Sequence, residues 1–239
     1  VYRAEQIRMQ RDVAIKVLRM ERNVSPNTIA RFEREARVAS MLRHPNSIVT
    51  YDFGQSEYGL YIAMELLEGI TLHERIGIQG AMPPKLAARI AAGIAASLAE
   101  AHDHGIVHRD LKPHNVFLHR VRGLDVIKVL DFGIAKLYDD ATPDIPDDTT
   151  DQPRSASMYQ TRTLPGQEIA VLGTCIYMAP EQIRADPLDG RTDIYALGCI
   201  LHELLTGRPP YRATTVKEVL HMHLEAPVPA LPESIPEEL

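Results

Sequence analysis

Near its start the chain carries a run of β-branched and small apolar residues, Val13-Ala14-Ile15-Lys16-Val17-Leu18. Its two-residue period predicts a strand with Ala14, Lys16 and Leu18 on one face. Ser25-Pro26 then reads as a helix start, a capping hydroxyl followed by proline in the first turn. In the helix that follows, Phe32, Glu35, Ala36 and Ala39 fall on one stripe, where a carboxylate is unfavourable unless paired. The longest apolar stretch, Leu86 to Ala99, is fourteen residues and contains Arg89. That is too short to span a bilayer and predicts a buried helix. Thr192 to Leu205 is apolar nearly all round, which predicts a second buried helix, stopped by Gly207 and Pro209-Pro210. From about Leu137 to Ala170 no period is visible and Pro143 and Pro146 intervene, so this segment predicts a long mobile loop.

Composition narrows the class. With 45% hydrophobic and 24% charged residues, the 239-residue chain can bury one large core or two small ones. No signal peptide is read at its start. The two cysteines, Cys175 and Cys199, suit a reducing cytoplasm, with room for a membrane tether downstream of Leu239. Charge matters once it is located. Asp139, Asp140, Asp144, Asp147, Asp148 and Asp151 lie in the mobile segment and match the whole-chain net charge of −6, leaving the remainder neutral. No basic stripe for nucleic acid is seen. His102 with His104, and His221 with His223, lack further ligands at regular spacing and read as helix ends and solvated faces rather than zinc sites.

Chemistry enters with the block His108-Arg109-Asp110-Leu111-Lys112-Pro113-His114-Asn115, followed sixteen residues after Asn115 by Asp131-Phe132-Gly133. An isolated Asp-Phe-Gly is a common turn, but the two blocks in this order are far more specific. They resemble the catalytic and metal-binding loops of eukaryotic-type (Hanks-type) serine/threonine protein kinases. The resemblance implies that Asp110 orients a substrate hydroxyl and accepts its proton, that Lys112 reaches the γ-phosphate of ATP, and that Asn115 and Asp131 hold Mg2+. It also implies that Lys16 pairs with Glu35 to orient the α- and β-phosphates.

The similarity extends along the chain. Leu60 to Gly69 resembles the strand and hinge between the kinase lobes, with Met64 as gatekeeper and the backbone of Glu65 and Leu67 facing the adenine edge. Val1, Ala14 and Phe117 complete the implied adenine contacts. Gly173 to Glu181 resembles the peptide-docking loop, with Thr174 bonded to Asp110 and Lys112, a combination that implies Ser/Thr rather than Tyr specificity. Asp193 is expected to accept hydrogen bonds from the backbone near His108 and Arg109. Arg109 is the implied grip for a phosphorylated hydroxyl of the activation segment, among Thr149, Thr150, Ser155, Ser157, Thr161 and Thr163. The chain opens at what resembles the second strand of the family, past the glycine-rich loop, and stops before its last helices. Glu181 is therefore expected to lack the arginine that meets it in the family.

The expected fold is α+β and two-lobed. A small antiparallel-sheet lobe covers residues 1–64, a hinge 65–67, and a mainly helical lobe 68–239, both lobes incomplete. The expected function is transfer of the ATP γ-phosphoryl group to protein Ser/Thr hydroxyls, including the chain's own. Abundant alanine, Tyr195 and the lack of tryptophan point to a bacterial member. Two alternatives stand beside it: a catalytically impaired docking or regulatory module, and a small-molecule phosphotransferase. The docking loop and Lys112 argue against the second. The full set Lys16, Glu35, Asp110, Asn115 and Asp131 argues against the first.

Overall fold

In the computed structural model, residues 1–18, 26–132, 175–233 and 235 are described. Four strands, β1 (Tyr2–Gln6), β2 (Arg11–Leu18), β3 (Thr50–Ser56) and β4 (Gly59–Glu65), form an antiparallel sheet in the order β1-β2-β4-β3. Its register sets Ala14 opposite Met64 and Lys16 opposite Ile62. Residues directly opposite share a face, so the strand lysine, the small alanine and the methionine look toward one side of the sheet. Helix α1 (Pro26–Ala39) buries Phe32, Ala36 and Ala39, and Phe32 meets Phe53 of β3 edge-on with ring centroids 6.4 Å apart. Glu35 lies half-buried on that stripe.

The chain leaves this sheet at Glu65 and enters a second one at Gly69. There β5 (Gly69–Thr71), β6 (Val116–Val121) and β7 (Leu124–Val129) pair antiparallel in sequence order. Gly69 has φ +144°, and a Cβ there would collide with the carbonyl oxygen of Leu118, so the crossing of β5 over β6 requires glycine. The two sheets are joined where Ile48 donates to Val129 O at 3.0 Å and Val129 donates to Asn46 O at 2.7 Å.

The remaining α-helices of the described residues are α2 (Leu72–Gln79), α3 (Pro84–Asp103), α4 (Pro180–Arg184), α5 (Gly190–Thr206) and α6 (Val216–Glu225). On α3 the fully buried Ala87, Ile90, Ile94, Leu98 and Ala101 recur at steps of three and four, the stripe expected from its sequence. They pack against Ala196, Cys199, Ile200 and Leu204 of α5 in one core that continues into the first sheet. Each buried Ile or Leu contributes about 2 kcal/mol. Helix α5 begins at Asp189, whose side chain accepts from Arg191 N, and ends at Gly207 in the left-handed conformation, φ 75°. The arrangement is the α+β one predicted, a sheet-rich first part and a mainly helical remainder. Gly133, Thr174, the acidic segment and the six candidate phosphoacceptors lie outside the described residues.

Candidate active site

The catalytic block is anchored from below by one carboxylate. Asp193, in the first turn of α5 and 1% exposed, accepts His108 N at 2.8 Å and His102 Nε2 at 2.8 Å on Oδ2, and Arg109 N at 2.9 Å on Oδ1. His102 closes the end of α3, so the carboxylate links both core helices to the loop. Gly190 makes room for this contact, because a Cβ there would come within 2.7 Å of the His102 ring. The His108 ring accepts from Asp110 N at Nδ1 (3.4 Å), which assigns its proton to Nε2, 2.8 Å from Leu130 O. The same ring packs 5.0 Å from that of Phe132. Residues 108, 130 and 132 therefore hold the two motif blocks together. Arg109 and Asp131 both take positive φ, 64° and 58°, uncommon for residues with a side chain and typical of functional loops.

Within this frame the polar groups converge. Lys112 Nζ lies 2.9 Å from Asp110 Oδ2 and 3.1 Å from Oδ1. Asn115, 8% exposed, donates from Nδ2 to Asp110 O at 2.8 Å and to Asp110 Oδ2 at 3.2 Å, which turns its Oδ1 the other way as a hard oxygen donor. Leu130 N bonds Asn115 O at 2.8 Å and so sets Asp131 next to this group. Among the described residues no group of three or more His, Cys, Asp or Glu could hold a metal. One amide and one carboxylate suit a hard cation that takes its remaining ligands from water and phosphates.

One expected pair is different. Lys16 Nζ forms its ion pair with Asp131 Oδ2 at 2.7 Å, and no pair between Lys16 and Glu35 occurs among the described ion pairs. Both partners are about one-quarter exposed and face each other across the cleft between the sheets. Glu35 has interactions of its own, so it is not an unpaired carboxylate. The lysine thus joins β2 to the Asp-Phe-Gly turn instead of to α1.

Around the cleft, Ala14 is 8% exposed and Met64 half-buried, while Val1 at 81% is almost free of contacts. Phe117 on β6 stands opposite Lys128 of β7 and Thr71 of β5. Glu65 N donates to Val49 O at 2.9 Å, so its N–H is already engaged. Sequence reasoning used only this residue's backbone, but its side chain is also engaged. Glu65 Oε1 accepts from Lys128 Nζ at 2.6 Å and from Val49 N at 2.8 Å, and Lys128, 7% exposed, also donates to Ser47 O at 3.2 Å. This pair ties β7 to the hinge. Lys128→Met is expected to destabilise the chain by about 2 kcal/mol, less than for a fully buried pair because Val49 N stays on the carboxylate. The thermal midpoint should fall roughly 4–8 °C, and adding Glu65→Gln should cost less than the sum of the single changes. A Lys128→Met midpoint equal to wild type would show that the pair contributes nothing.

Of the four histidines read as helix ends and solvated faces, His104 and His221 are exposed as expected, whereas His102, in the last turn of α3, and His223 have further partners. His102 binds Asp193. His223, 5% exposed, bonds Tyr195 OH through Nδ1 at 2.7 Å, and burial pushes its pKa down. Neither is a solvated side chain, and the partners of both lie on α5, far away in sequence. His114 stacks on His73 of α2 with centroids 3.8 Å apart; burial, then His73 and Lys112, lower its pKa. Glu181 accepts Thr192 Oγ1 at 2.8 Å, so it has a partner within the chain. Burial raises the thiols of Cys175 and Cys199 to about 11 and about 12, making both poor nucleophiles.

Comparison with known proteins agrees with this geometry. The family model for the protein kinase domain matches residues 1–234. The chain is 39% identical over 234 residues to serine/threonine-protein kinase PknB of Mycobacterium leprae, covering 96% of this chain and 34% of that protein. It is 41% identical over 232 residues to pkn3 of Myxococcus xanthus (96% and 39%) and 40% over 230 residues to PrkC of Bacillus subtilis (96% and 32%). The chain thus spans about a third of the length of these relatives, all of them bacterial. With the His108–Asn115 block anchored on Asp193 of α5, the Asp-Phe-Gly turn held against His108, and the family match running from Val1 to residue 234, this chain belongs to the protein kinase family.

Proposed function

We propose that the chain is the catalytic part of a bacterial serine/threonine kinase that transfers the γ-phosphoryl group of ATP to protein hydroxyls. The observation that carries this reading is the cluster in which the Asp110 carboxylate meets both Lys112 Nζ and Asn115 Nδ2, beside the Lys16–Asp131 pair. Phosphoryl transfer requires placement and charge neutralisation more than covalent chemistry, and these groups provide both. Asp110 orients the acceptor hydroxyl and takes its proton. Lys112 offers a cation to the transferring group. Asn115 and Asp131 would hold Mg2+, which neutralises phosphate charge when bound. Ala14, Met64, Phe117 and the hinge backbone at Glu65 and Leu67 would enclose adenine, with Val1 above it. Thr174, in the docking loop, is proposed to bond Asp110 and Lys112 and to favour Ser/Thr acceptors.

The domain reading follows the same lines, with one lobe over residues 1–64, a hinge over 65–67 and the second lobe from 68. No helix of the described residues is long and apolar enough to cross a membrane. Two free, buried cysteines fit the reducing cytoplasm, where such a domain would meet protein substrates and further copies of itself. The alternative reading is a catalytically impaired docking or regulatory module.

Incubation with ATP and Mg2+ separates these readings. Mass spectrometry should find phosphate on Ser and Thr of a generic basic acceptor protein and of the chain itself, and EDTA should abolish it. Phosphate on a sugar or aminoglycoside acceptor with none on protein would make the chain a small-molecule phosphotransferase. No transfer to any acceptor would favour the docking module.

A further inference from the structure

Gln182, in the short helix α4, has no part in the reading above, yet its side chain bridges the peptide-docking region and the catalytic loop. Its Oε1 accepts from Ala179 N at 3.0 Å, capping α4, while its Nε2 donates to the carbonyl of Arg109 at 2.8 Å. Arg109 is the positive-φ residue directly before Asp110, and its own N–H is held by Asp193 Oδ1 at 2.9 Å. The Arg109 residue is therefore gripped at both ends, by α5 through its N–H and by α4 through its carbonyl. The carbonyl belongs to the peptide unit that leads into Asp110, so its direction sets how the Asp110 Cα and carboxylate are presented. Gln182 is half-buried and lines a small pocket with Arg109, Asp110, Met178 and Asp193.

We infer that Gln182 is a positioning residue for phosphoryl transfer: through the Arg109 carbonyl it fixes the orientation of Asp110 and couples that orientation to the placement of the docking loop. The amide suits the task because it accepts and donates at once. Neither an aspartate nor a glutamate has the donor, and neither a lysine nor an arginine has the acceptor. The left-handed backbone at Arg109 is a sparsely populated conformation that persists when its surroundings determine it from more than one side. Asp193 provides one of those constraints and Gln182 the other.

This inference rests on the kinase reading, and two variants separate the clamp from the cap. Gln182→Glu keeps an acceptor for Ala179 N and replaces the donor with a carboxylate oxygen facing the Arg109 carbonyl. Gln182→Ala removes both bonds. Steady-state phosphorylation of a basic acceptor protein should show kcat about tenfold lower in Gln182→Glu, with the KM for ATP unchanged and the thermal midpoint within about 2 °C of wild type. Gln182→Ala should lose kcat to a similar degree and also melt lower, having lost the cap. A wild-type kcat in Gln182→Glu, with impairment confined to Gln182→Ala, would reduce the residue to a helix cap and overturn the inference. A fall in kcat matched by an equal loss of thermal stability in Gln182→Glu would overturn it as well. A wild-type chain that transfers no phosphate would instead overturn the kinase reading and the clamp together.

Discussion

Asp110→Asn is expected to lower kcat by about 10³-fold while leaving the thermal midpoint and the KM for ATP close to wild type. The asparagine has the same shape and keeps a carbonyl oxygen for Lys112 Nζ, which lies 2.9 Å from the carboxylate. What it lacks is the ability to take the proton of the acceptor hydroxyl. Asp110 is half-buried and is not the anchor of the loop, a part that falls to Asp193, so the loss should appear in chemistry and not in folding. Single-turnover phosphorylation with saturating ATP and Mg2+ measures this directly. A variant within about tenfold of wild type would remove Asp110 from proton transfer and leave placement as its role.

Asp193→Ala should act on both folding and activity. The carboxylate is 1% exposed and accepts two backbone N–H groups and one imidazole, linking α3, α5 and the catalytic loop. Its removal leaves buried donors without acceptors, which costs about 3–5 kcal/mol. The thermal midpoint should fall by about 10 °C or more, with transfer reduced at least 10²-fold even well below that midpoint, because the backbone of His108 and Arg109 is no longer held. Asp193→Asn should fall between the two, since its amide retains one acceptor and turns a donor toward the others. The outcome that would refute this account is an Asp193→Ala chain that melts with wild type. A chain that melts lower but retains full kcat would make Asp193 a stabilising residue without a positioning role.

The two predictions differ in how readily their residues can be read from sequence. Asp110, Lys112 and Asn115 lie within six residues, so local geometry alone brings them together, and a contiguous motif carries that information. Lys16 and the small Ala14 could be placed on one face from a two-residue period, and the register opposite Ile62 and Met64 agrees. The stripe of α3 and the burial of α5 were legible for the same reason, since apolar periodicity records which side of an element meets the core. Lys16's partner was not legible. Asp131 and Glu35 are both carboxylates placed near the cleft, and the choice between them depends on how the sheets and α1 settle against each other.

Sequence by itself determined the class of elements and the two motif blocks that carry the family likeness, because each depends on neighbours within one turn or one strand. Tertiary structure decided which distant atoms come within 3 Å. His102 meets Asp193 across 91 positions, Lys128 meets Glu65 across 63, and Gln182 meets Arg109 across 73. None of these contacts leaves a periodic trace. A hydrogen bond needs its two groups at a set distance and angle, and that is fixed only when whole helices and sheets pack, whereas a hydrophobic stripe tolerates any apolar partner. The chemistry of this chain is therefore written locally, and the scaffold that aims it is written in the packing of α3, α4 and α5 around the loop from His108 to Asn115.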